Sequence, residues 1–560
     1  MRQWAKRAAW PVAGLALGLA VFLAVYGPLP LEVTNDSWLL GGYVETDLLQ
    51  HYAGWLAIKN QGLSWPLTFT AGLDWPVGGA AALADCIPLL AVPFGLVRAW
   101  LPATFQYFGW FVCGSLMLQG EAAVRLVRLF TKRAPCALAG AALLCVSPVL
   151  LERAFRHTAL SAHWLILYAL YLYFKSARGG FAKMPAGGFI ALAALAAAIH
   201  LYFVPMVLAI ALACGISAGL AARRWRGPLL GVGSAVLAAL AAAWALGFFS
   251  VKGSEAGGYG SFGMNLNALW NPVSLDWNWW VPGQGQLCWS RVLPVRPLAG
   301  NSLEAFNYLG LGLLAAGAAC GAALLGALAL KRLAPRRLWR FAKRHLPLAA
   351  VCALLTAFAV SNVVTANSRT LLELPLPGPL LALCDVFRAS GRMFWPVWYL
   401  LALAAVVLLA RLPRKGMAAG TLALVLAVQL FDLSGALGQK RAWFAGVQAQ
   451  PPAAVLTQEE EALLAGAAGF FALEACADRP LAAAVQRCGP ATNIRLLARG
   501  SGEALEARIG QVREALLQGE QPLPGTVYYT ADEALADQVA ARFPAGRKTL
   551  FYQGWLLCLG

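Results

Sequence analysis

Apolar stretches, most of them near twenty residues long, alternate along the chain with short polar ones rich in lysine and arginine. A helix rises about 1.5 Å per residue, so roughly 20 apolar residues cross the hydrocarbon core of a bilayer. By that measure the expected spans are 8–28, 105–124, 134–151, 158–175, 185–200, 202–222, 228–249, 304–330, 346–364, 393–411 and 416–433. The stretch 185–222 is too long for one span and reads as two short ones, broken near His200–Pro205. A further apolar segment, Cys86–Leu101, is short and carries Pro88 and Pro93, which predicts a juxtamembrane or re-entrant helix.

Basic residues border these runs at Arg2/Lys6/Arg7, Arg125/Arg128/Lys132/Arg133, Lys175/Arg178/Lys183, Arg223/Arg224/Arg226, Lys331 to Arg344, and Arg411/Arg414/Lys415. Lysine and arginine beside spans are retained on the cytoplasmic side. Eleven crossings with the N-terminus inside put all six clusters on that side. The predicted organisation is then a first transmembrane helix (1–29), a first periplasmic loop with juxtamembrane helices (30–104), and a transmembrane bundle (105–433) with outer loops at 250–303 and 365–392. A soluble periplasmic α/β domain (434–560) completes the chain. In that last part the run GTVYYTADEALADQVAARF reads as a strand, a turn with Thr530 or Asp532 as N-cap, and a helix. No repeat of solenoid length and no clear inverted halves are visible.

Composition agrees with the pattern. Hydrophobic residues make up 60% of the 560 and charged ones 12%, about half the charge of a soluble domain. The formal net charge of +18 raises nucleic acid as a partner, but the cations sit at the ends of apolar runs and form no separate patch. Nucleic acid is therefore not expected. The 12 cysteines show no CxxC or Cys/His spacing for zinc. Cys476 and Cys488 lie in the polar C-terminal region, where an oxidising compartment permits a disulfide. The first apolar run has the basic front of a signal peptide but lacks a convincing small-residue cleavage site, and it is kept as a span.

Chemistry gathers in three stretches. In GGYVETDLLQHYAGW, Glu45, Asp47 and His51 follow the first span, and Asp47 and His51 are one helical turn apart. The apolar spacing of Leu48, Tyr52, Trp55 and Leu56 predicts a helix lying along the membrane surface with Trp55 at headgroup level. A carboxylate held there is a candidate general base for a hydroxyl acceptor; the alternative is that Asp47 caps the helix and His51 is simply exposed. Asp74 and Asp85 belong to the same loop, and spacing alone assigns Asp85 to capping the helix after it.

SPVLLERAFRHTALSAHW joins two spans with Glu152, Arg153, Arg156, His157 and His163; Arg153 and His157 share a helical face. Arginine there runs against the charge bias, so a partner is expected: a phosphate, a lipid headgroup, or Glu152. In VFRASGRMFWPVWYL, Arg388 and Arg392 are four apart, as two guanidiniums holding a phosphate would be, or two snorkelling anchors.

In layout the first 433 residues resemble the C-type (GT-C) glycosyltransferases, polytopic enzymes that use polyprenyl-phosphate-linked sugars. The likeness rests on an acidic loop after span one (VETDLLQHYAGW), a proline-bearing juxtamembrane helix (DCIPLLAVPFGLV), a span ending in RLVRLFTKR, the Ser147-Pro148 end of the next, and an arginine-bearing loop leading into LILYALYLYF. More narrowly, TDLLQHYAGW, ADCIPLL, HTALSAHW and FRASGRMFWPVWYL resemble an uncharacterised bacterial family of this architecture.

The resemblance implies a mainly α, polytopic transmembrane bundle of GT-C type, with about eleven spans plus juxtamembrane helices and a small C-terminal α/β extracytoplasmic domain, in a bacterial inner membrane. It implies sugar transfer from a polyprenyl-phosphate donor to a glycan, lipid or protein acceptor. Asp47 is then the catalytic base with Glu45 second; Arg388, Arg392, Arg153, His157, His163 and His51 bind substrate or phosphate; and Asp85 is a candidate ligand for a divalent metal. Many relatives carry two adjacent acids, whereas Thr46 separates Glu45 from Asp47, which leaves two candidates for the base. The rival readings are a lipid-linked-sugar flippase or transporter and a non-catalytic membrane scaffold with a periplasmic binding domain.

Overall fold

The computed structural model describes residues 2–40, 47–250, 257–274, 287–300, 302, 306–332, 334–451, 453–497 and 502–559. The chain is mainly helical and divides into two compact units. A helical unit comprises Met1–Leu29, Phe108–Leu240 and Gly257–Ala445; a sheet-bearing unit comprises Pro30–Tyr107, Ala241–Ala256 and Gly446–Gly560.

Among the described residues six helices are long and apolar enough to cross a membrane: Ala134–Arg153, Phe203–Ala222, Arg226–Ala245, Leu311–Ala329, Ser390–Ala410 and Lys415–Ala449. Leu338–Arg344 and Leu346–Val360, bent by 70°, add a seventh if they act as one. The remaining expected spans fall on shorter or less apolar helices, at Arg2–Val25, Phe108–Arg128, Trp164–Arg178 and Ala186–Ile199. The long 185–222 stretch is broken at residues 200–202, beside His200.

Close helix approach in the helical unit depends on missing side chains. Gly14 and Gly18 on the first helix face Gly120 on the Phe108–Arg128 helix, and a Cβ on any of the three would collide with the opposite backbone. Small residues four apart give helices this contact in apolar surroundings, where packing rather than water drives association.

The last long helix runs to Ala449, well past the boundary expected near 433. Asp432, Ala436, Lys440 and Phe444 form a buried row along it, each four residues from the next. Tertiary partners for that row sustain the helix beyond its apolar stretch. Ser290 donates to Asp432, the Tyr308 hydroxyl donates at 2.6 Å and the Leu311 amide at 2.9 Å, which ties residues 290–311 to this helix.

The sheet-bearing unit holds a five-stranded sheet in the order Arg547–Phe551, Gly554–Cys558, Thr526–Thr530, Gly469–Ala472, Ala491–Thr492. The first three strands pair antiparallel, and the last three pair parallel. Its core packs Phe471, Tyr528 and Leu557 of the sheet against Leu505, Ile509, Val512 and Leu516 of the Gly502–Gln518 helix. The predicted strand, turn and helix occur at Thr526–Thr530 and Glu533–Ala540, and Asp532 is the N-cap, accepting from the Ala534 and Leu535 amides. Cys476 and Cys488 are both free thiols.

This sheet does not stand apart from the 30–107 segment. The Trp75 amide donates to Thr492 at 3.0 Å, the Gln486 side chain to the Gly72 carbonyl at 3.0 Å, and Gln61 to Gly489 at 3.1 Å. Two pieces separated by more than three hundred residues thus build one unit.

Candidate functional site

Asp47 begins the Asp47–Gln61 helix, whose N-terminal dipole favours a carboxylate. Its Oδ1 lies 3.2 Å from Nη1 of Arg479, and the two side chains are 27% and 31% exposed. Arg479 starts the Arg479–Cys488 helix, which Asp478 caps. The same helix sends Arg487 to Asp36 at 3.0 Å, where the Tyr52 hydroxyl also donates at 2.8 Å. Burial, and then the Asp36 charge, push the Tyr52 phenol well above its ordinary pKa, so it stays a donor.

Three expectations for this segment change. Trp55 is not at a headgroup surface: it is fully buried, its indole donates to the Phe105 carbonyl at 2.7 Å, and Tyr107 meets it edge-on. His51 is not exposed but 1% accessible, and its Nε2 is 3.9 Å from Asp85. Asp85 does not cap the helix that follows, whose N-cap is Ile87; it ends the preceding short helix in a left-handed conformation, and this turns its carboxylate toward His51. Glu45 lies outside the described residues.

In the helical unit, Arg153 and His163 gather around Trp395. Arg153, 2% exposed, has its guanidinium 5.9 Å from the Trp395 ring centre and Nη1 3.3 Å from Nδ1 of His157. The His163 imidazole lies 4.3 Å from the same ring. Its Nδ1 meets the Tyr399 hydroxyl at 2.9 Å, and that hydroxyl accepts from Gln119 at 3.0 Å. Either the hydroxyl donates to Nδ1 and Nε2 carries the ring proton, or Nδ1 donates to the hydroxyl and Nε2 is an acceptor. This Nε2 is buried and has no hydrogen-bond partner among the described residues. A buried polar atom without a partner costs about 1–3 kcal/mol, so it marks a place that a ligand atom can fill.

Arg388 and Arg392 do not share a helical face. Arg388 precedes the short Ser390–Phe394 helix, in a turn set by the Ala389 amide donating to Tyr202 at 2.9 Å. Arg392 is buried over the Tyr202 ring at 4.8 Å, and Arg388 lies over Phe262 at 5.5 Å. Tyr202 is followed by Phe203, which packs on both His163 and Trp395, so Arg392 joins the Arg153 and His163 cluster through aromatic rings.

One ionic cluster stands outside the predicted set. Glu152 is fully buried and accepts from Arg156 at 2.7 Å, Ser274 at 2.5 Å and the Trp289 indole at 3.1 Å, with Nζ of Lys440 at 3.8 Å. The signal for Lys440 was its place eight residues after Asp432 in a continuing helical row.

Among the described residues no three His, Cys, Asp or Glu side chains converge to hold a metal, and Asp85 is engaged with His51. The candidate base and His51 thus belong to the sheet-bearing unit, and the other candidate phosphate ligands to the helical unit. The chain belongs to the family described as "Domain of unknown function (DUF6311)", whose model matches residues 15–434. Comparison with the curated proteins gives no match.

Proposed function

We propose that this protein is an integral membrane glycosyltransferase of GT-C type, which moves a sugar from a polyprenyl-phosphate donor to an acceptor hydroxyl at the outer face of a bacterial cytoplasmic membrane. The observation that carries the reading is the buried Nε2 of His163, a polar atom with no hydrogen-bond partner among the described residues, which shares the Trp395 ring with the guanidinium of Arg153. With Nε2 protonated, a phosphate oxygen is the acceptor it fits. Buried cations inside an apolar bundle are costly and are kept where an anion uses them. Eleven crossings with a cytoplasmic N-terminus complete the proposal.

In the proposed reaction the acceptor oxygen bonds to the anomeric carbon while the bond from that carbon to the phosphate oxygen breaks. The leaving phosphate keeps the bonding pair, and the acceptor proton passes to Asp47. Arg153, His163 and Arg392, with His157 and Arg388, stabilise the charge that grows on the phosphate. Arg479 holds the Asp47 carboxylate in place.

The test is release of free polyprenyl phosphate by purified, reconstituted protein given a radiolabelled pool of polyprenyl-phosphate sugars and an extract of envelope acceptors. Asp47→Asn should abolish release without changing folding or insertion, and full activity in that variant removes Asp47 as the base. A second reading, a flippase or transporter for the lipid-linked sugar, gains support from Glu152, Asp432 and Lys440, because ionisable groups inside spans are usual in transporters. Movement of intact donor between leaflets, with no free lipid phosphate, would decide for it.

A further inference from the structure

A cleft of about 530 Å³ opens in the helical unit between Trp10 and Pro11 on the first helix, Arg125 and Arg128 near the end of the Phe108–Arg128 helix, and Tyr171. It lies toward the C-terminal end of the Trp164–Arg178 helix, whereas His163 stands at that helix's N-terminus. The cleft is therefore separate from the Arg153 and His163 cluster.

Its charge is unbalanced in a specific way. Glu121 accepts from both Arg125 and the Tyr168 hydroxyl, so its lone pairs are largely committed. No carboxylate among the described residues pairs with Arg128. Instead the Arg128 guanidinium lies 3.7 Å from the centre of the Trp10 ring. A guanidinium stacked by its face keeps its in-plane N–H groups for another partner. Arg125 is 44% exposed, with its Nη groups beyond the Nε that Glu121 engages, and exposed Lys175 stands 5.7 Å from the Tyr171 ring. Three cations against one committed carboxylate, with tryptophan and tyrosine at the polar end of apolar helices, are the makings of a phosphate site at a membrane interface.

We infer that this cleft binds a phosphate ester, supplied in the membrane by the headgroup of an anionic phospholipid. Arg128 is the principal ligand, oriented by Trp10; Arg125 and Lys175 add charge. The ring of Trp10 fixes the plane of the guanidinium, and the apolar helix surfaces below the cleft accept the acyl chains.

The experiment is native mass spectrometry of the full-length protein in detergent, titrated separately with phosphatidylglycerol, phosphatidylcholine and glycerol 3-phosphate. The wild type should retain phosphatidylglycerol in preference to phosphatidylcholine, and Arg128→Gln should lower that retention about fivefold, the loss expected for one basic contact to an anionic headgroup. Arg128→Lys, which keeps the charge, should lose less, and Arg178→Gln, on a residue outside the cleft, should lose nothing. Retention of glycerol 3-phosphate that also depends on Arg128 assigns the site to phosphate esters in general; dependence with phosphatidylglycerol alone assigns it to the lipid. Equal retention of both lipids, or an Arg128→Gln protein that is folded, monodisperse and unchanged in retention, overturns the inference.

Discussion

Two pairs of carboxylates, one pair in each unit, are held in opposite ways. In the helical unit Glu152 and Asp432 are withdrawn from solvent, and each collects three donors, all but the Arg156 of Glu152 from distant parts of the chain. In the sheet-bearing unit Asp47 and Asp85 keep about a quarter to a third of their surface open, with Arg479 and His51 beside them. A carboxylate saturated with donors in a dry interior holds elements together and is closed to a substrate. One paired with an arginine at a partly open surface is reachable by a substrate. Under the proposed function the first pair is structural and the second is where the chemistry is sought.

The largest effect that would break this comparison belongs to Glu152. Glu152→Gln leaves Arg156 and Lys440 buried without their counter-charge, a loss of about 3–5 kcal/mol, seen as a lower unfolding temperature and less monodisperse protein. Adding Lys440→Met should recover part of it, and additive losses in the double variant would show that the two residues do not interact. Next comes Asp36, buried like the helical carboxylates but in the other unit. Asp36→Asn weakens bonds to Tyr52 and Arg487 and should cost about 2 kcal/mol in chemical denaturation, against no more than about 1 kcal/mol for Asp47→Asn at a half-open pair. Equal costs at the two aspartates would erase the distinction within the sheet-bearing unit.

The smallest effect depends on pH. Burial raises the Glu460 pKa, but hydrogen bonds from Thr457 and Tyr552 outweigh it and leave the carboxyl below its ordinary value of 4.5. Its stabilising contribution is thus present above that value and lost as pH falls through the lower folded-state pKa. Hydrogen exchange in the Gln458–Leu464 helix, where Thr457 and Glu460 form a capping box, should speed up as pH drops below about 4.5, after correction for intrinsic rates. Glu460→Gln should flatten that dependence.

Spacing alone made several local features legible. The pairing of Arg153 with His157, the break near His200, the capping by Asp532 and the strand before it follow from residues three to five apart. Arg388 and Arg392 show where the method stops: they are four apart in sequence, yet residues 388–389 are not helical, so the shared face does not form. Trp55 fails for another reason. An aromatic residue on an amphipathic segment has the same pattern whether it meets lipid headgroups or a protein wall, and only the presence of Phe105 and Tyr107 decides.

From the order of residues came the membrane character, because twenty apolar residues in a row satisfy a hydrocarbon slab without help from the rest of the chain. From it also came the helical content and the small α/β piece near the C-terminus. The union of residues 30–107 with the C-terminal sheet, the arginine facing Asp47, and the place of Lys440 beside Glu152 were decided by tertiary structure. Local patterns carry information over one or two helical turns, whereas these pairs span from 288 to 432 residues, and a buried charge finds its partner only when the whole fold has closed around it.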